Sequence, residues 1–245
     1  MLFRSLVAVL DELQLREQTL IVFTSDNGPE TLKRYKGSER SWGRTGILRG
    51  MKLHTHDGGL HVAGIMNWPG GIQSGRTEDA PVSALDLLPT VLELAGVRPP
   101  EGRLLDGISL VPLLRAGVIP DRPRPLLWAY YNAVNECRVA LRHGRWKLLA
   151  RLNAGALPRL ENLTPATAAA VRSAELTDVQ IYDLQADRGE TRNLGGRGLP
   201  EESMLVELLR NEYLQLAADS PAWQDRKSTR LNSSHLGISY AVFCL

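Results

Sequence analysis

Cysteine is nearly absent: the 245 residues contain two, Cys137 and Cys244, too few for a disulfide framework, so cysteine usage leaves the compartment open. Long apolar runs are missing too. No stretch approaches the roughly 20 apolar residues that cross a bilayer, and Leu6 to Leu10 is too short for a signal-peptide core and is broken by Asp11 and Glu12. Charge of one sign is not in excess. The net charge is +2, and the basic residues between Lys33 and Arg49 are interrupted by Gly, Ser and Glu rather than clustered with aromatics, which gives no case for a nucleic-acid partner. What is present is a globular composition, 43% hydrophobic and 23% charged, on a chain long enough to bury a core.

The most informative stretch is Ser25-Asp26-Asn27-Gly28, which follows the charge-free run from Thr19 to Thr24. Such a run reads as a buried central strand of a parallel sheet, and open α/β sheets place their ligands beyond the carboxyl ends of strands. Asp26 and Asn27 put a carboxylate and a carboxamide side by side there, hard oxygen donors that suit Ca²⁺ or Mg²⁺. Asp-Asn-Gly is equally good turn chemistry, so these four residues alone leave a plain turn open.

Downstream come Leu48-Arg49-Gly50-Met51-Lys52, Thr55-His56-Asp57-Gly58-Gly59-Leu60-His61-Val62, Asn67-Trp68-Pro69-Gly70 and Asp86-Leu87-Leu88-Pro89-Thr90. In this order and spacing the blocks resemble the C-terminal half of type I sulfatases of the alkaline phosphatase superfamily, over residues 5 to about 195. The resemblance implies an α/β fold: the C-terminal part of a doubly wound sheet, followed by a small antiparallel β subdomain with a C-terminal helix. It also implies that Asp26 and Asn27 are two ligands of a divalent cation, Ca²⁺ with Mg²⁺ as the alternative, and that Lys52 contacts the sulfate. The full-length substrate would be a sulfated small molecule or a sulfated glycan. Relatives of full length are commonly periplasmic, secreted or lysosomal.

Departures from the family pattern fall in the same loop. Asp57 stands where the family has Glu, His61 where it has Arg, Ala63 where it has Pro, and Leu53 where Gly is usual. Asp keeps the charge on a shorter arm, and His gives up a permanent bidentate donor. His54, His56, Asp57 and His61 could alternatively chelate zinc, although the Gly58-Gly59 break fits a loop leading into a strand. The family's nucleophile, a formylglycine made from Cys or Ser in Cys/Ser-x-Pro/Ala-x-Arg, has no counterpart here: Cys137 is followed by Arg138-Val139-Ala140, and Cys244 is next to last. The chain therefore reads as a fragment lacking the nucleophile half and inactive alone. Two other classes stay open. One is a phosphoesterase or phosphonate hydrolase of the same superfamily, since Asp26, Asn27 and Lys52 suit a phosphoryl group almost as well. The other is a degenerate, non-catalytic relative.

The organisation expected is 1–119 as the end of the catalytic α/β domain, 120–225 as the small subdomain, and 226–245 as a tail resembling translated adapter read-through that stays out of the fold. Spacing predicts an N-terminal amphipathic helix through Leu13 and a helix from about Asp86 to Ala95 with Gly96 as its C-cap. Asp86 is better placed to cap that helix than to catalyse. Strands are predicted at Leu126 to Tyr131, Cys137 to Arg142, Arg145 to Ala150 and Ile181 to Leu184, with His143-Gly144 as a hairpin turn and a helix from about Glu201 to Leu216. Residues 153–177 read as an insertion with some helix.

Overall fold

A computed structural model of the chain describes residues 2–99, 101–102, 104–160, 164–219 and 242–244. In chain order the elements are α1 (Leu2–Glu12), β1 (Ile21–Thr24), α2 (Asp57–Leu60), β2 (His61–Asn67), β3 (Pro81–Ser83), α3 (Leu87–Leu94), α4 (Val111–Ala116), β4 (Leu126–Ala129), β5 (Val139–His143), β6 (Trp146–Leu152), α5 (Pro165–Arg172), β7 (Leu176–Asp183), α6 (Glu202–Asp219) and β8 (Val242–Cys244). Helices and sheets mix as an α/β fold. The chain divides into two compact units, the first comprising 1–25, 62–124 and 241–245, the second 26–61 and 125–240.

In the first unit the strand order is β1-β2-β8-β3. β1 pairs antiparallel with β2, from Ile21 opposite Asn67 to Thr24 opposite Gly64. This corrects the reading of β1 as a central parallel strand. A charge-free run signals two covered faces, but only Ile21 is buried here, while Val22 and Phe23 stand exposed. The core of this unit gathers Val62, Val82, Leu110, Leu113 and Leu114. Asp86 organises it. Its fully buried carboxylate accepts from the backbone N–H of Ser83 (2.7 Å) and of Ile108 (2.9 Å) and from Arg122 (2.5 Å). With Ser83 it forms a reciprocal capping box over the turn that leads into α3; its side chain makes no cap bond to α3 itself, which corrects the expectation that it caps that helix while leaving its role structural. Thr90 on α3 accepts from the N–H of Leu110 at 2.9 Å, tying the helix to the segment before α4.

Residues 226–245 were expected to stay out of the fold. Val242–Cys244 instead pair antiparallel with β3, Val242 opposite Ser83 and Cys244 opposite Pro81. A β-prone apolar triplet satisfies its backbone groups on an available strand edge whatever its origin. The rest of that segment lies outside the described residues.

The second unit is a four-stranded antiparallel sheet of order β4-β5-β6-β7. Val139, Leu141, Leu148 and Ile181 point into one core and are fully buried. On α6, Leu205, Leu209, Tyr213 and Ala217 recur every fourth residue and fill the same core. Each of the two leucines removed from water stabilises by about 2 kcal/mol. The Tyr213 hydroxyl donates to the Val171 carbonyl at 3.0 Å, fastening α6 to α5. α5 starts at a Thr164–Thr167 capping box followed by Pro165, so part of the unassigned 153–177 segment is a capped helix. β7 begins at Leu176, earlier than expected, and pairs across a register shift between Leu149 and Arg151. The β5–β6 hairpin closes through Gly144-Arg145, one residue later than the sequence suggested, with Gly144 at φ +55°. The expected first domain of 1–119 placed Asp26 to His61 ahead of the small subdomain. By contacts that stretch sits in the second unit, for reasons the site makes plain.

Candidate functional site

The loop from Arg49 to Leu60 folds back on itself and on the turn after Asp26-Asn27. Lys52 donates its N–H to the Pro29 carbonyl at 2.9 Å, and Gly28 donates its own to the Gly59 carbonyl at 2.9 Å. Within the loop, Gly58 donates to Arg49 at 2.7 Å and Gly59 to His56 at 2.9 Å. Side chains have no room at these crossings. A Cβ on Gly28 would overlap the Gly58 carbonyl, and one on Gly59 would overlap the carbonyls of His54 and Met51. The Gly-Gly pair is therefore demanded by backbone packed on backbone.

That packing registers the three residues singled out from sequence. Asp26 is exposed, Asn27 is buried, and the Asn27 amide donates to the Asp26 carboxylate at 2.8 Å. Lys52 is only 8% exposed. Its ammonium lies 3.4 Å from the Tyr35 hydroxyl and 6.0 Å from that ring's centre, and no described carboxylate pairs with it. Its backbone is clamped separately. Glu30, fully buried, takes Arg34 in a two-pronged ion pair (2.6 Å at the closest), and Arg34 donates on to the Lys52 carbonyl at 3.2 Å. Burial alone would raise the Glu30 carboxyl, but the bonds from Arg34 and from the N–H groups of Leu32 and Thr31 outweigh it and hold it below its ordinary value.

Sequence reasoning left Lys147 and Glu190 without a role. Both are fully buried. Lys147, on β6, reaches the Asp57 carboxylate in a buried ion pair and lies 3.6 Å from Glu190. Glu190 in turn accepts the Asp57 N–H at 2.7 Å. Burial would lower Lys147 and raise Asp57, and their mutual attraction reverses both. Glu190 is pushed up, by burial first and then by Asp57. The signal available in the sequence was a lysine in the largely apolar strand Trp146–Leu152, buried on both faces, where a charge needs a partner.

The departures now have a geometry. Asp57, one methylene shorter than the family's Glu, keeps its charge partnered through Lys147, and His61 stands 3.7 Å from the second Asp57 oxygen. Leu53, where Gly is usual, sits at φ +70°, left-handed backbone that strains a side-chain-bearing residue by about 1–2 kcal/mol. The zinc alternative loses its carboxylate. Asp57 faces Lys147, His56 lies 3.1 Å from the Asn135 amide, and no group of three metal-binding side chains occurs among the described residues. Burial, then Arg49 and Lys147, push His56 down to about 3, so it is neutral at pH 7. The Cys137 thiol is buried and pushed up to about 11, mainly by burial, which leaves it a poor nucleophile.

For a divalent cation the donor type fits and the number falls short. Asp26 and Asn27 offer hard oxygens, whereas Ca²⁺ takes six to eight and Mg²⁺ near-octahedral geometry.

Residues 1–97 match the sulfatase family, and residues 51–157 match the C-terminal region of N-sulphoglucosamine sulphohydrolase. Arylsulfatase A of Homo sapiens is 37% identical over 197 residues, 78% of this chain and 36% of that protein. Steryl-sulfatase of Homo sapiens is 42% identical over 125 residues, 51% of this chain and 21% of that protein. The crystal structure of Ps i-CgsB in complex with k-i-k-neocarrahexaose superimposes with a TM-score of 0.65 at 25% identity, covering 89% of this chain and 41% of that one. The chain thus spans well under half the length of the relatives it matches.

Proposed function

Residues 1–157 carry sulfatase-family sequence on a sulfatase-like fold, and on that premise we propose that the chain is the C-terminal part of a sulfatase and supplies one side of a site for sulfate esters. The observation that supports this best is Lys52: a buried ammonium with no described carboxylate beside it, tied by its own N–H to the turn after Asp26-Asn27. A charge held that way costs desolvation unless an anion completes it.

In this reading Lys52 neutralises charge that builds on the sulfuryl and leaving-group oxygens. Asp26 and Asn27 supply two ligands of a Ca²⁺ ion, or of Mg²⁺ in its place, whose remaining ligands lie outside this sequence. The bound ion would polarise the ester oxygens. The nucleophile, a formylglycine, is likewise outside it. The substrate is a sulfated small molecule or a sulfated glycan. Among the described residues no helix is long and apolar enough to cross a membrane.

Two measurements test the reading. The chain alone, given an aryl sulfate and Ca²⁺, is expected to release no phenol above a matched blank, and turnover would overturn the assignment of the nucleophile elsewhere. Extending the nucleotide sequence upstream is expected to reveal Cys-x-Pro-x-Arg or its Ser counterpart. A plain Ser or Thr nucleophile outside that motif would move the assignment to phosphoryl transfer, and loss of the metal-binding aspartates as well would mark a non-catalytic relative.

A further inference from the structure

We propose that Asp57, Lys147 and Glu190 form a positioning triad that sets where Lys52 sits relative to Asp26 and Asn27. The role assigned to Lys52 rests on the sulfatase reading above. The mechanical claim does not.

The triad is built where position is decided. Glu190 holds the backbone N–H of Asp57 at 2.7 Å, and Lys147 holds its carboxylate. Asp57 opens the short helix α2, whose next two residues are the glycines packed against Gly28 and against the Met51–His54 turn. From Asp57 the connection to both functional segments is short: Gly59 accepts from Gly28, and Gly58 donates to Arg49 at the other end of the Lys52 loop. Parallel fastenings hold the same loop to β7 and to the loops that flank β5 and β7. Arg49 donates to the Glu190 carbonyl at 2.9 Å and to the Tyr182 hydroxyl at 3.2 Å, Thr55 donates to the Cys137 carbonyl at 2.5 Å, and Val134 donates to Leu53 at 2.9 Å.

A buried charge cluster is weak evidence for stability, since well-packed apolar residues of similar volume often do as well. What charge adds is a single geometry. A carboxylate and an ammonium fixed on opposite elements leave the loop one position, whereas an apolar contact tolerates sliding. The shorter Asp57 tightens this further, because its carboxylate has less reach than a glutamate in finding Lys147.

Amide hydrogen exchange on the full chain reads the claim without substrate. In Lys147→Met, the amides of Gly28 and Lys52, whose bonds define the register, are expected to exchange at least tenfold faster, while ladder amides between β5 and β6 keep their rates. Asp57→Asn should do the same with the side-chain volume kept, and Asp57→Glu should restore protection. Lys52→Ala serves as the control: it removes the proposed sulfate contact and should leave both amides protected. Unchanged exchange at Gly28 and Lys52 in the charge variants would overturn the proposal. So would uniform acceleration across the β5–β6 ladder, which marks a purely structural role. Should Lys147→Met fail to fold, Asp57→Asn and Glu190→Gln decide by the same criterion. A wrong sulfatase reading would show as unimpaired turnover in Lys52→Ala of the full-length enzyme and would leave the exchange result standing.

Discussion

The two sheets of this molecule make unequal use of similar sequence. β4 to β7 cover their inner face with α6 and close a core in which Leu141, Leu148, Ile181 and Leu209 are fully buried. β1, with a run just as apolar, leaves Phe23 49% exposed and its neighbour Ile65 on β2 55% exposed. An apolar run therefore states that a face is to be covered and does not state what covers it. The antiparallel sheet finds its cover within the described chain. The β1–β2 face stays about half exposed at Phe23 and Ile65.

The largest expected effect tests that contrast directly. Leu209→Ala should cost about 2–5 kcal/mol through lost burial and a residual cavity, whereas Phe23→Ser should stay within about 0.5 kcal/mol. Paired denaturant titrations compare them. Equal costs would show that the β1 face is covered in solution.

Acid should sharpen the picture inside the second unit. Unfolded His56 takes a proton below its ordinary value of 6.5, but folded His56 resists until about 3. The unfolded state binds more protons between those values, so stability falls as pH drops through that window, by up to about 1.4 kcal/mol per unit. His56→Gln should lose less stability than the parent between pH 6.5 and pH 5. Identical losses would assign the acid sensitivity elsewhere.

Leu53→Gly should be neutral to about 1 kcal/mol stabilising, since relief of the left-handed strain outweighs the entropy added to the unfolded chain. A clear destabilisation would show that the Leu53 side chain packs usefully. The smallest effect belongs to the end of the chain. Deleting 227–245 removes β8 but no residue of either described core, and the melting transition should keep its cooperativity. Its loss would show that the β3–β8 pairing matters.

Much of the fold could be read from local pattern. β-rich composition located β5 and β6, the expected helix at 201–216 is α6, and Asp86 reads from its position as structural rather than catalytic. Strand neighbours could not be read that way, because pairing is chosen by what else is present: β1 took β2 as an antiparallel partner. At the site, Asp26, Asn27 and Lys52 stood out because their blocks carry family spacing. Lys147 and Glu190 did not, since their meaning is a contact with Asp57 across 90 and 133 residues. The same distance explains why 26–61 keeps company with the C-terminal sheet rather than with 62–124.

On the proposed function, Lys52 meets a sulfuryl group while Asp26 and Asn27 meet a metal. Metal content and aryl sulfate turnover, measured together on Lys52→Ala and Asp26→Ala in the full-length enzyme, separate the roles. Lys52→Ala should keep its metal and lose turnover by about 10²–10³-fold, as removal of a preorganised charge-stabilising donor does. Asp26→Ala should lose both. Unimpaired turnover in Lys52→Ala, or full metal content in Asp26→Ala, would contradict the account at that residue.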